Sequence, residues 1–165
     1  MSMPDPKPSR KKSAGAPAVA SDGAGVVSYY LKAPLGRAAA RGVTSARLIK
    51  FVRSGLPVQE LRDLQAGLGV PMDKLVPMLG LSKATLHRRK VGGKLEPAES
   101  DRVVRFARLL GRAIGVLESG DNARRWLTSP QVGLGGAVPL YYADTEVGAR
   151  EVEDLLGRIE YGVYS

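Results

Sequence analysis

The 165-residue sequence contains no cysteine and a single histidine, and only 5% of it is aromatic. Without cysteine there are no disulfides and no thiolate-held metals. With only His87, and no cluster of His, Asp and Glu, no metal centre is expected. No glycine-rich loop sits between a strand and a helix, and the Leu134-Gly135-Gly136 loop is too short to cradle a phosphate. No cofactor and no catalytic residues are therefore expected. No apolar run is long enough to span a bilayer. Lys7, Arg10, Lys11 and Lys12 near the start are followed by Ala, Gly and Pro rather than an apolar segment, so no secretory signal is read and a cytoplasmic location is expected. Acids are also scarce, 16 against 25 Lys and Arg, for a net charge of +9.

That charge is uneven. Residues 1–50 carry net +7, residues 51–100 net +3, and residues 101–165 net −1. The first two parts suit a polyanion, since phosphate neutralisation supplies much of a protein's affinity for DNA. The third is set apart for a different task.

Residues 1–42 are rich in Pro, Ala, Gly and Ser and lack a sustained apolar period. They read as a disordered basic tail, at least through Gly25, because such a segment buries too little surface to offset its ordering entropy. The Arg10-Lys11-Lys12 cluster reads as a solubilising tail or as a non-specific DNA arm. Within the tail, Val26, Val27, Tyr29, Tyr30 and Leu31 form an apolar island that either docks on the body or begins a strand.

Helical patterning starts at Thr44. Leu48, Ile49 and Val52 line one face up to Gly55. Pro57 opens a second helix, carried by Leu61, Leu64 and Leu68. The stretch Pro71–Lys90, PMDKLVPMLGLSKATLHRRK, predicts two short helices and a tight turn. Leu75, Val76 and Leu79 give the first an apolar face, Gly80 ends it, and Ser82 caps the second. The second helix has only Ala84 and Leu86 as apolar residues and leaves a cationic face. That suits a helix-turn-helix recognition helix, although a cationic face is also what a merely solvated helix shows. Gly92-Gly93 close it. A longer helix runs from Pro97 to about Leu117, its apolar residues within an arc of roughly 120°. Arg102, Arg105, Arg108 and Arg112 form a row on the other side, read as a solvated face or a supporting contact to DNA backbone.

Residues 119–165 form a further helical unit. Asp121 caps a helix over Asn122–Leu127, Pro130 stops it, and Pro139 restarts a short turn. Asp144 and Thr145 cap a last helix with Val152, Leu155 or Leu156, Ile159 and Val163 on one face. Gly148 and Gly157 inside it are tolerable where another backbone packs closely. Trp126 reads as core.

Together the C-terminal residues resemble a known family. Trp126-Leu127, Pro130, Leu134-Gly135-Gly136, Pro139-Leu140, Asp144-Thr145, Gly148, Val152, Leu155, Arg158-Ile159-Glu160, Gly162-Val163 and Ser165 follow the pattern of the Xre/MbcA/ParS-type antitoxins of bacterial toxin–antitoxin pairs with a RES-domain toxin. GLPVQELRDL, LGLSKATLHRRK and LEPAESDRVVRFARLL resemble the family's Xre-like helix-turn-helix domain. The resemblance covers roughly residues 43–165. It departs from the family at Gln131, Val138 and Pro71, where local capping is weakened. It implies an all-α fold: an Xre-like helix-turn-helix domain over 43–118 and a small helical toxin-binding domain over 119–165. It also implies a homodimer within a hetero-oligomeric complex. One part binds operator DNA and represses the chain's own operon. The other covers the active site of a NAD-degrading RES toxin. The chain itself is then not an enzyme.

On this reading Ser82, Lys83, Ala84, His87 and Arg88 face base edges, while Thr85, Arg89, Lys90 and Lys94 hold phosphates. Arg158, Glu160, Tyr161, Tyr164 and the Ser165 carboxylate engage the toxin, unless Tyr161 and Tyr164 only close the unit's own core. Two other readings stay open: a helix-turn-helix transcriptional regulator without a toxin partner, and an interaction module that has lost DNA.

Overall fold

A computed structural model of the chain describes residues 25–32 and 44–162. The regular structure within them is helical: α1 (Val26–Lys32), α2 (Ser45–Ser54), α3 (Val58–Leu68), α4 (Met72–Met78), α5 (Lys83–Gly92), α6 (Pro97–Leu117), α7 (Gly120–Thr128), α8 (Pro139–Tyr142) and α9 (Glu146–Glu160). The basic cluster Arg10-Lys11-Lys12 and residues Val163, Tyr164 and Ser165 lie outside the described residues.

The helix-turn-helix forms as its local chemistry predicts. Leu75, Val76 and Leu79 are buried. Gly80 takes φ 68°, a conformation glycine reaches without a Cβ penalty, and turns the chain. Leu81 returns to the core, and the Ser82 hydroxyl accepts from the Thr85 N–H at 3.1 Å to start α5. Leu86 is the one buried side chain of α5.

Helix α6 is the post around which the others pack. Its N-terminus has a capping box: Pro97 is in the first turn, and the Glu99 carboxylate accepts from the Glu96 N–H at 2.8 Å. Phe106, Leu109, Leu110 and Ala113 are fully enclosed, and Val104 and Gly111 are buried as well. The apolar arc is thus wider than the sequence wheel suggests. The arginine row, expected to be solvated or to touch DNA, fills the remaining gap and is partly covered by protein. Arg102 donates to the Leu79 carbonyl at 3.0 Å, tying α6 to the turn before α5. Arg105 and Arg108 both bond Glu146, at 3.2 Å each. Arg108 also bonds Glu153, and Arg112 bonds Glu160, both at 2.6 Å. The three glutamates are seven residues apart on α9 and so share one of its faces.

Of the two courses left open to the apolar island, it takes the first: within the tail expected to be disordered it is helix α1, docked on α3 and α6, and not the start of a strand. Val26 and Val27 are buried, and their N–H groups donate to the two oxygens of Glu60 at 2.8 and 3.0 Å. Glu60 is itself only 7% exposed. A buried carboxylate needs such donors, and a helix N-terminus offers free ones.

In the C-terminal unit Ser119, not Asp121, caps α7, accepting from the Asn122 N–H at 3.2 Å. Gln131 closes the following loop, donating to the Trp126 and Ser129 carbonyls at 2.8 and 3.1 Å. This departure from the family pattern keeps the loop pinned. Thr145 caps α9 through the Gly148 N–H at 3.1 Å. A Cβ at Gly148 would overlap the Tyr142 carbonyl oxygen, so the close backbone approach holds there. At Gly157 only Arg112 comes near. Val152 and Leu156 are buried, while Leu155 is half-buried.

Replacing Glu60 with Ala leaves two amides of α1 without acceptors, at a cost of about 1–3 kcal/mol. Amide hydrogen exchange of Val26–Leu31 is expected to lose protection while α6 keeps it. Unchanged protection in α1 contradicts the anchoring role.

Candidate functional site

The exposed face of α5 holds Lys83, Ala84, His87, Arg88 and Lys90, followed by Lys94. Ser82 is exposed, but its hydroxyl is engaged in the cap and in a 2.9 Å bond with the Thr85 hydroxyl. Thr85, half-buried, accepts at 3.3 Å from a terminal guanidinium nitrogen of Arg88, which folds the tip of that long side chain back onto the helix. Thr85 is therefore turned toward its neighbours more than outward. Lys94 lies beyond the end of the helix, where it pairs with Pro57 in an isolated antiparallel bridge.

Arg89 differs from its neighbours. It was expected among the phosphate contacts. Instead it turns inward and grips Glu99 of α6 with Nε and one amino nitrogen at 2.9–3.2 Å, with a further contact to Glu96 at 3.3 Å. Glu99 is 7% exposed. Burial pushes its carboxyl up, but Arg89 and the Glu96 N–H outweigh burial and hold it below the ordinary range. The pair fixes the far end of α5 against α6. A lone arginine in a basic helix gave no hint of this; the signal was Glu99, ten residues on, in the first turn of a helix.

At the other end of the molecule, Arg158 is half-buried, and its Nε is buried without a hydrogen-bond partner. Glu160 is paired with Arg112. Tyr161 is 78% exposed and does not close the unit's core. Tyr164 and Ser165 lie outside the described residues. The missed residues here are Glu146 and Glu153, and their spacing from Glu160 was the readable sign. Burial pushes the Glu146 carboxyl up, and Arg108 and Arg105 more than reverse that.

Among the described residues no group of His, Asp and Glu is arranged to hold a metal ion, and no helix is long and apolar enough to cross a membrane. The fold defines an all-helical protein in which a helix-turn-helix unit is fused to a second helical unit. Residues 47–108 match the model of the antitoxin Xre-like helix-turn-helix domain, and residues 112–162 that of the antitoxin Xre/MbcA/ParS C-terminal toxin-binding domain. The chain is similar to an Antitoxin Xre of Yersinia enterocolitica, 32% identical over 134 residues that cover 79% of this chain and 88% of the relative. It is also similar to one of Photorhabdus laumondii, 34% identical over 117 residues, covering 70% and 79%. The chain belongs to the Xre/MbcA/ParS family of antitoxins.

The lowered Glu99 carboxyl fixes the sign of a pH effect. A group whose folded-state pKa is depressed adds stability above its unfolded pKa and loses it as pH falls through the folded value. Glu99→Gln is therefore expected to lower Tm at pH 7 and to shrink the loss of Tm on acidification below about pH 4. A variant that melts like the wild type at both pH values contradicts the clamp.

Proposed function

We propose that this antitoxin neutralises a RES-domain, NAD-degrading toxin by covering its active site with the end of α9, and represses its own operon by binding promoter DNA as a dimer. On this reading it catalyses nothing itself. Residues 43–118 do the DNA work and 119–165 the toxin work, with α6 shared between them.

The observation that carries the toxin half is the state of Arg158. A buried guanidinium nitrogen without an acceptor is costly in a finished protein. A partner that brings a carboxylate or carbonyl to Arg158, beside the exposed Tyr161, removes that cost. Tyr164 and the Ser165 carboxylate extend the same end of the chain. Glu160 is assigned to holding α9 on α6 through Arg112 rather than to direct contact. The DNA half is supported by the outward charge of α5. Lys83, Ala84, His87 and Arg88, with Ser82 at the helix start, sit where this motif meets base edges. Lys83 and Arg88 suit the two acceptors of guanine. Thr85, Lys90 and Lys94 take backbone positions. Arg89 is assigned a positioning role.

The two halves are tested separately. Deleting Tyr161–Ser165 is expected to leave a folded, DNA-binding chain that no longer protects cells from the toxin encoded beside it; full protection by the truncated chain contradicts the toxin surface. Arg88→Ala is expected to cost about 1–3 kcal/mol of operator discrimination while salt-sensitive, unselective binding remains. Intact selectivity in gel-shift titrations contradicts the placement of α5.

A further inference from the structure

The fold sorts its cations. Arg89, Arg105, Arg108, Arg112 and Arg124 each meet a carboxylate. Lys50 and Arg53 of α2 do not: both are exposed, and among the described residues no ion pair is formed by either. Helix α2 contains no acidic residue. Leu48, Phe51 and Val52 lie on its inner side, packed against the core. Lys50 and Arg53, three residues apart, fall within about 60° of each other on the outer side. The first acid that follows in sequence, Glu60, is buried and spent on α1, and the next, Asp63, accepts from Gln59.

Their position is set by three backbone contacts between the α2–α3 junction and the segment after α5. The Leu95 N–H donates to the Leu56 carbonyl at 2.8 Å, the Val58 N–H to the Gly93 carbonyl at 3.1 Å, and Pro57 bridges Lys94. The end of α2 is thereby pinned beside the end of α5. Neither α2 nor the segment from α5 through Lys94 contains an acid.

We propose that α2 is a second DNA-backbone surface, on which Lys50 and Arg53 take phosphates flanking the stretch read by α5. This rests on the DNA-binding reading above. Such contacts add affinity and salt dependence but no sequence preference.

The test is fluorescence anisotropy of the full chain over a range of salt concentrations. The probes are a duplex from the region upstream of its own gene and a shuffled duplex of equal length. Lys50→Ala/Arg53→Ala is expected to reduce the slope of log affinity against log salt by about 2 on both duplexes. The ratio of the two affinities should not change. Arg150→Ala, which removes a cation from the exposed side of α9, should leave the slope alone. An unchanged slope in the α2 variant, a changed affinity ratio, or an equal fall with Arg150→Ala overturns the α2 surface only. A wild-type chain that binds neither duplex at low salt overturns the DNA reading and this one with it.

Discussion

Helix α6 can be packed around most of its circumference because the polar strip it carries is answered by acids on α9. Arg105, Arg108 and Arg112 would otherwise be drawn to water, and α9 would have no fixed register on them. The pairs run in the same order along both helices, Glu146 with Arg105 and Arg108, Glu153 with Arg108, Glu160 with Arg112. Each is half-screened, and an isolated surface pair contributes about 0–1 kcal/mol. As a connected set above a packed seam they do something more specific: they set the register of α9 against α6. The apolar contacts of Val152 and Leu156 then supply the adhesion.

The same helix organises the other end. Its first turn provides Glu99, which holds Arg89, and its side provides Arg102, which holds the Leu79 carbonyl. The turn before the recognition helix and the last turn of that helix are therefore both referred to α6. Acids are scarce in this chain, and most of those on α6 and α9 are committed to such joints. Among the described residues, Lys83, Arg88, Lys90 and Lys94 in and after α5 and Lys50 and Arg53 of α2 are cations without an ion pair, and Arg158 near the end of α9 keeps a buried nitrogen without an acceptor. The two proposed binding surfaces are in this sense the residue of how the fold distributes its charge.

The helix-turn-helix was legible because its determinants are local: a glycine at the turn, a serine cap three residues from its donor, apolar residues at helical spacing. The last helix was legible from its cap and its face. The arginine row was misread because a wheel scored by apolar residues alone treats the opposite side as solvent. Leu109 and Val104 already widened the buried arc, and the seven-residue spacing of Glu146, Glu153 and Glu160 named the partner. Helix α1 was not legible. It is seven residues long, and the carboxylate that starts it lies 33 and 34 residues away in sequence. Pairings at that separation leave no periodic trace. Arg89 was masked by its like-charged neighbours, and only Glu99 in the first turn of α6 marked its partner.

The central claim is that this chain holds a NAD-degrading toxin silent. It is tested most directly by expressing the adjacent open reading frame with and without this chain, recovering the tagged chain, and measuring cellular NAD. The account predicts that a RES-domain protein co-purifies and that NAD falls only when this chain is absent. A chain that recovers no such protein, with NAD the same in both cultures, contradicts it and leaves a helix-turn-helix protein whose C-terminal unit serves another partner.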